Sequence, residues 1–219
     1  MQTAPKPANV VPLQRKISRE VRQQQLIAAT MRVLSRKGYA QTTLSDVAAE
    51  AGVWHGLVNF HFESKEKLLS ATLLFMAEEY RQNWQKALAA AGPRAADRLA
   101  ALMAADFNDD ICTQERIACW CSFWGEVQSR PIYQQECNAN DDRYIAQLEG
   151  ICGNLIADGG YALDAVRTAR ALRFTSEGLW NDMLSMNKPY TRDEALKTLF
   201  ALATVFFPRH FTPEGPITA

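Results

Sequence analysis

Histidine is the scarcest chemistry-bearing residue, three in 219 (His55, His61, His210), and none is spaced with a cysteine or carboxylate as a metal ligand or triad member would be. GxGxxG, P-loop and HExxH motifs are also missing, so no enzyme activity, cofactor or metal is expected. Five cysteines (Cys112, Cys119, Cys121, Cys137, Cys152) are an odd number, which argues against a disulfide framework and for a reducing cytoplasm. Cys119 and Cys121 stand too close for a CxxC chelate; small core residues are the plain reading and a thiol sensor the alternative. No apolar run approaches the ~18 residues of a membrane span, and the longest, Leu199–Phe207, is interrupted by a threonine. Met1–Leu13 has no apolar signal-peptide core and reads as part of a short disordered leader.

Net charge is also lacking, 24 basic against 24 acidic side chains, but the balance hides a division. Residues 1–65 hold nine Lys/Arg and four Asp/Glu, a net of +5, and the remainder is therefore −5. A basic segment on an acidic body suits a polyanion-binding module, although chance clustering on a solvated helix gives the same count. No strand-like alternation and no internal repeat is found. Apolar residues instead recur at helical spacing from Arg19 to Lys37, with Gly38 closing the run. Thr43 to Asp46 forms an N-terminal box for a short helix to about Ala51; Gly52 supplies the turn, and a second short helix covers Trp54–Phe62. Ser64 opens a long helix through about Ala91, stopped by Gly92-Pro93. Further helical segments fall near 94–109, 113–128, 132–158, 164–187 and 192–207.

Two short helices around a glycine turn, within a basic segment, form the geometry of a helix-turn-helix DNA reader. The run Thr42-Thr43-Leu44-Ser45-Asp46-Val47-Ala48-Ala49-Glu50-Ala51-Gly52-Val53, then Gly56, then His61-Phe62-Glu63-Ser64-Lys65-Glu66-Lys67-Leu68-Leu69, resembles the signature of the tetracycline-repressor (TetR) family. That resemblance implies a cytoplasmic homodimeric transcriptional regulator with a ligand pocket in its larger domain. The chain departs from the family at Trp54, where Ser or Thr is usual, and at Asn59, where Tyr is frequent. The expected fold is all-α: a leader and basic arm (1–17), a three-helix helix-turn-helix domain (18–65), a ligand-binding and dimerisation domain (66–209) and a tail (210–219).

On this reading Thr42 and Thr43 approach phosphate at a helix N-terminus. Trp54, His55, Asn59 and His61 face the duplex, Lys65 holds a phosphate, and Arg15, Lys16, Arg19 and Arg22 form a basic arm along the backbone. Leu57 and Phe60 either meet thymine methyls or turn inward.

In the larger domain, Ala118-Cys119-Trp120-Cys121-Ser122-Phe123-Trp124, Pro131, Tyr133, Glu177-Gly178-Leu179-Trp180 and Asn187-Lys188-Pro189 resemble the BetI-type family of choline-responsive repressors. Trp120, Phe123 and Trp124 on one helix and Phe174, Glu177 and Trp180 on another would give aromatic faces and a carboxylate to a methylated cation. Asp106, Asp109 and Glu177 are the candidate counter-charges, and Arg143, Arg170 or Arg173 a candidate partner for Glu177. The same stripes could simply be core. Dimerisation is placed on the helices near 164–187 and 192–207, through Ala165, Ala169, Leu172, Ala195, Leu199, Leu202, Val205 and Phe206. The partners expected are therefore double-stranded DNA, a second copy of the chain and a small effector, with no membrane. A helical interaction protein or orphan enzyme carrying a helix-turn-helix-like hairpin is the alternative.

Overall fold

The computed structural model describes residues 18–126 and 131–218, with no account of the side chains of residues 131–133, 135 and 136. The leader, with Arg15 and Lys16, lies outside the described residues, as does the Tyr133 side chain. The fold is all-α, as expected, and runs α1 (Arg19–Gln41), α2 (Leu44–Glu50), α3 (His55–Phe62), α4 (Lys65–Ala90), α5 (Ala95–Asp106), α6 (Gln114–Trp124), α7 (Pro131–Gly159), α8 (Ala165–Ser185) and α9 (Arg192–Phe206).

The helices begin where a short polar side chain can satisfy an unpaired amide. Ser18, Thr43, Ser64, Thr113, Asp164 and Thr191 each accept from the third amide of the helix that follows. At Thr43 the box is reciprocal, because Asp46 Oδ2 accepts back from the Thr43 amide at 3.2 Å. Gly38 does break the first helix, at φ 74°, but one further turn follows and carries the buried Tyr39. Gly52 takes the left-handed conformation (φ 64°) that lets α3 cross α2.

Helices α1 to α3 and the start of α4 close around Leu26, Leu34, Val47, Val58, Leu68 and Leu69, all buried. The body is held by Leu99, Leu102, Ile117, Leu155, Leu199, Phe207 and Phe211. Head and body share one continuous core. Phe123 of α6 meets Tyr39 of α1 edge-on (5.8 Å, 75°), and the Cys119 thiol donates to the Met31 carbonyl at 3.2 Å. Buried thiols of this kind are small core residues; burial pushes Cys119 and Cys152 up to about 12, which keeps them protonated and unreactive.

Two points differ from the sequence expectation. The residues 210–219 include a two-residue antiparallel ladder, β1 (Phe211–Thr212) with β2 (Gly215–Pro216), which seats Phe211 in the core. Strands this short leave no alternation to read. And of the residues assigned to dimerisation, Ala169, Leu172, Ala195 and Leu199 are buried inside the chain, because α8 and α9 spend those faces on α5, α6 and α7. Val205 of that set does face outward, 74% exposed, and Val166 and Phe174 on α8, outside the set, are exposed as well.

Candidate functional site

The head presents α3 outward. Val58 and Phe62 anchor it inward, whereas Trp54 is 71% and Phe60 70% exposed. Phe60 is thus the outward member of the Leu57/Phe60 pair; Leu57 is half-buried. Trp54 precedes the helix without a side-chain cap bond, and its indole lies over Gly56, where any Cβ would overlap the ring. His55 and Asn59, one turn apart, are bonded to each other at 3.1 Å between His55 Nδ1 and Asn59 Nδ2.

Three expectations for the head need correction. Thr42 does not offer its hydroxyl to phosphate: it is buried, and Oγ1 donates to the Gly38 carbonyl at 2.8 Å, closing the kink in α1. The Thr43 hydroxyl is exposed but committed to Asp46. His61 is half-buried, its Nδ1 has no hydrogen-bond partner among the described residues, and burial together with Arg19 and Arg22 lowers its pKa. It is therefore a neutral ring at pH 7, not a cation for phosphate.

The electrostatic footprint is narrower than the composition suggests. Arg32 and Arg36 clamp Glu50, and Lys37 pairs with Asp46, so three cations tie α2 to α1. Arg19 and Arg22 make no ion pair among the described residues. The Lys65 ammonium donates to the Ala40 carbonyl at 2.9 Å and lies 5.7 Å from the Tyr39 ring centre.

Within the body, α4, α6, α7 and α8 enclose a cavity of about 300 Å³, floored by Asp106 at the end of α5. Helical spacing of three and four residues delivers its walls: Tyr80 and Trp84 from α4, Trp120 and Trp124 from α6, Asp141 and Tyr144 from α7, Arg173, Ser176, Glu177 and Trp180 from α8. Trp124 stacks on both Trp120 (6.2 Å, 27°) and Trp180 (6.4 Å, 18°). Tyr80 meets Trp120 and Trp180, which closes a ring of four with Trp124, and Tyr144 and Trp84 extend it from Tyr80 into a connected cluster of six aromatics.

Asp106 is buried and accepts from the Tyr80 hydroxyl (2.8 Å) and the Ser176 hydroxyl (2.6 Å), while Trp180 Nε1 donates to its carbonyl (3.0 Å). Burial nonetheless pushes its carboxyl up to about 6, since two neutral donors do not replace water around a charge. Burial likewise raises Glu177 and Asp141, both opposed by Arg173, which bonds Glu177 at 2.8 Å. Arg81, the other cation of the lining, is neutralised by Glu78. Three carboxylates therefore face one arginine, Arg173, which is already paired with Glu177, an environment that favours a guest cation.

Of the residues assigned to this pocket, Asp106, Trp120, Trp124, Glu177 and Trp180 come together. Phe123 does not; turned about 60–100° round α6 from the two tryptophans, it is buried against Tyr39. Phe174 does not either: it is 53% exposed with the Arg173 guanidinium 4.6 Å from its ring. A three-residue step falls about 60° short of a full turn, so Phe174 and Trp180 diverge by about 120° whereas Arg173 and Trp180 align. Asp109 is mostly exposed and pairs with Arg192. Sequence reasoning missed Tyr80, Trp84, Asp141, Tyr144 and Ser176; the four-residue step from Tyr80 to Trp84 was the available signal, indistinguishable from a core stripe.

Residues 26–72 match the model of the bacterial regulatory proteins of the tetR family, and residues 95–207 match the C-terminal domain of BetI-type transcriptional repressors. The HTH-type transcriptional regulator BetI of Paraburkholderia xenovorans (strain LB400) is 31% identical over 183 residues, covering 82% of this chain and 90% of the relative. The chain belongs to the TetR family, as a BetI-type transcriptional repressor. The Burkholderia thailandensis BetI is 32% identical over the same share of each chain. Among solved structures, a Pseudomonas aeruginosa PAO1 transcriptional regulator superposes with a TM-score of 0.76 at 27% identity, covering 88% and 93% of the two chains. A Saccharomonospora viridis regulator, solved in complex with choline, has the same fold (TM-score 0.72, 20% identity, 82% and 94% covered). These TetR-family relatives are regulators of transcription rather than enzymes. Among the described residues no helix is long and apolar enough to cross a membrane.

Proposed function

We propose that the chain represses transcription as a homodimer on a palindromic operator and is controlled by a quaternary-ammonium effector held in the aromatic cavity. The observation that carries the effector class is the cluster of six aromatics around three carboxylates, of which only Glu177 is paired with an arginine, Arg173. Each indole or phenol face contributes about 0.5–2 kcal/mol to a desolvated cation. The choline bound by the Saccharomonospora viridis regulator of the same fold favours this class. Calorimetry with tetramethylammonium, choline and choline's neutral carbon isostere, 3,3-dimethylbutanol, tests it. The two cations are expected to bind at least tenfold tighter than the isostere, and Trp124→Ala to weaken them roughly tenfold. Equal binding of the isostere would refute a cation site.

Two heads are needed because a single short helix contacts too few base pairs, and paired helices must meet successive major grooves about 34–36 Å apart. The outer surface of α8 and α9, with the exposed Val166, Phe174 and Val205, is what we assign to the second copy. Lys65, Arg19 and Arg22 take the phosphate-contact role. Lys65→Ala is expected to reduce the slope of log Kd against log salt by about one unit per head. An unchanged slope would remove Lys65 from the interface.

Effector control follows from helices that touch both places. α6 turns Trp120 and Trp124 to the cavity and Cys119 and Phe123 to α1; α4 carries Tyr80 and Trp84 at the cavity and Lys65 at the head. Reversing a 1:99 equilibrium takes about 5.5 kcal/mol of differential affinity, so two cavities per dimer share it.

A further inference from the structure

We propose that the recognition helix reads thymine through its C5-methyl group, by means of an apolar strip formed by Trp54 and Phe60. This rests on the proposed operator binding and adds to it the base that the head selects. In an eight-residue helix whose Val58 and Phe62 point inward, Gly56 and Phe60 occupy the opposite ridge, one turn apart. Gly56 has no side chain to present there. Trp54 fills its place, the indole folded back over the glycine. The most outward surface of α3 is therefore two aromatic rings, each about 70% exposed.

So much aromatic surface left in water marks a contact area. Its neighbours identify the occupant. Arg19 and Arg22 are close enough to depress the His61 pKa, placing positive charge beside the strip where phosphates would run. In the major groove, base edges offer hydrogen-bonding atoms almost everywhere, and the thymine methyl is their one apolar group. An aromatic ridge meets that group favourably and leaves the donors and acceptors of guanine and cytosine unpaired. The flanking His55–Asn59 pair agrees: with one Asn59 amide hydrogen toward His55, the carbonyl and the second hydrogen remain for the N6/N7 edge of an adenine. The strip and its Asn59 flank thus suit A·T pairs.

The test uses the full-length protein and an operator selected from random duplexes. Each thymine is replaced singly by deoxyuridine, which deletes only the methyl. At the thymines facing the strip, Kd is expected to rise roughly fourfold per methyl, the worth of one buried apolar carbon, and by an order of magnitude or more when both half-sites are changed. In Trp54→Ala and Phe60→Ala proteins the thymine–uracil difference should vanish at the matching position. Sequence-specific binding with no thymine–uracil difference anywhere would overturn the inference. So would variants that lose affinity equally for both bases, which would place the rings against deoxyribose. No sequence-specific duplex binding at all would instead defeat the operator reading beneath it.

Discussion

Asp106→Asn is expected to stabilise the unliganded protein at pH 8 by about 1–3 kcal/mol while weakening cation binding ten- to a hundredfold. In the unfolded chain an aspartate ionises near 3.9; in the fold, burial pushes Asp106 up to about 6. Between those values the folded state keeps a proton that the unfolded state has lost. The contribution of Asp106 to stability therefore falls as pH rises through this window and is at its most unfavourable above pH 6. Two pH units correspond to about 3 kcal/mol, the upper bound of the gain. Asparagine is neutral throughout, and its amide can donate to Ser176 while its oxygen accepts from Tyr80. Chemical denaturation of both proteins from pH 4 to 8 should show the gap opening between pH 4 and 6; a gap independent of pH would refute the assignment. The same titration governs the effector: cation affinity should weaken below pH 6, where Asp106 is neutral, and this dependence should be absent in the variant.

Phe123→Ala should cost about 3–5 kcal/mol, since it empties a buried site and removes an edge-on aromatic pair. Its second consequence distinguishes a coupling role from plain core. Phe123 lies outside the cavity, on the side of α6 that meets Tyr39 of the head. The milder Phe123→Leu, at about 1 kcal/mol, should bind tetramethylammonium as tightly as the parent. The change in operator affinity on adding the cation should shrink severalfold, because the branched chain no longer transmits a shift of α6 to α1. Operator titrations with and without saturating cation measure this. A full effector response in Phe123→Leu would assign the coupling to α4.

Much of the architecture could be read locally. Helix starts were legible because Ser, Thr or Asp caps act through a bond three residues long, and the Thr43–Asp46 box and Gly52 turn are likewise contained in a few residues. The cavity was only half legible. Trp120, Trp124, Glu177 and Trp180 were visible as stripes, but a stripe does not say which neighbour it faces, and Phe123 and Phe174 were drawn in by proximity along the chain. Tyr144 and Asp141 escaped because their relation to Asp106 and Trp180 exists only after α5, α7 and α8 converge.

From its amino acids alone this chain was determined to be helical, to carry a helix-turn-helix head, and to place positive charge there. Those properties follow from side-chain period, capping chemistry and composition, which act within a few residues. Tertiary packing decided that Thr42 turns inward, that Arg32, Arg36 and Lys37 are spent on internal pairs, and that Phe60 and Trp54 stand in solvent. It alone also brought Asp106 beneath six aromatic rings and away from water. Burial and charge pairing depend on how the helices come together, which lies beyond the few residues over which period and capping act.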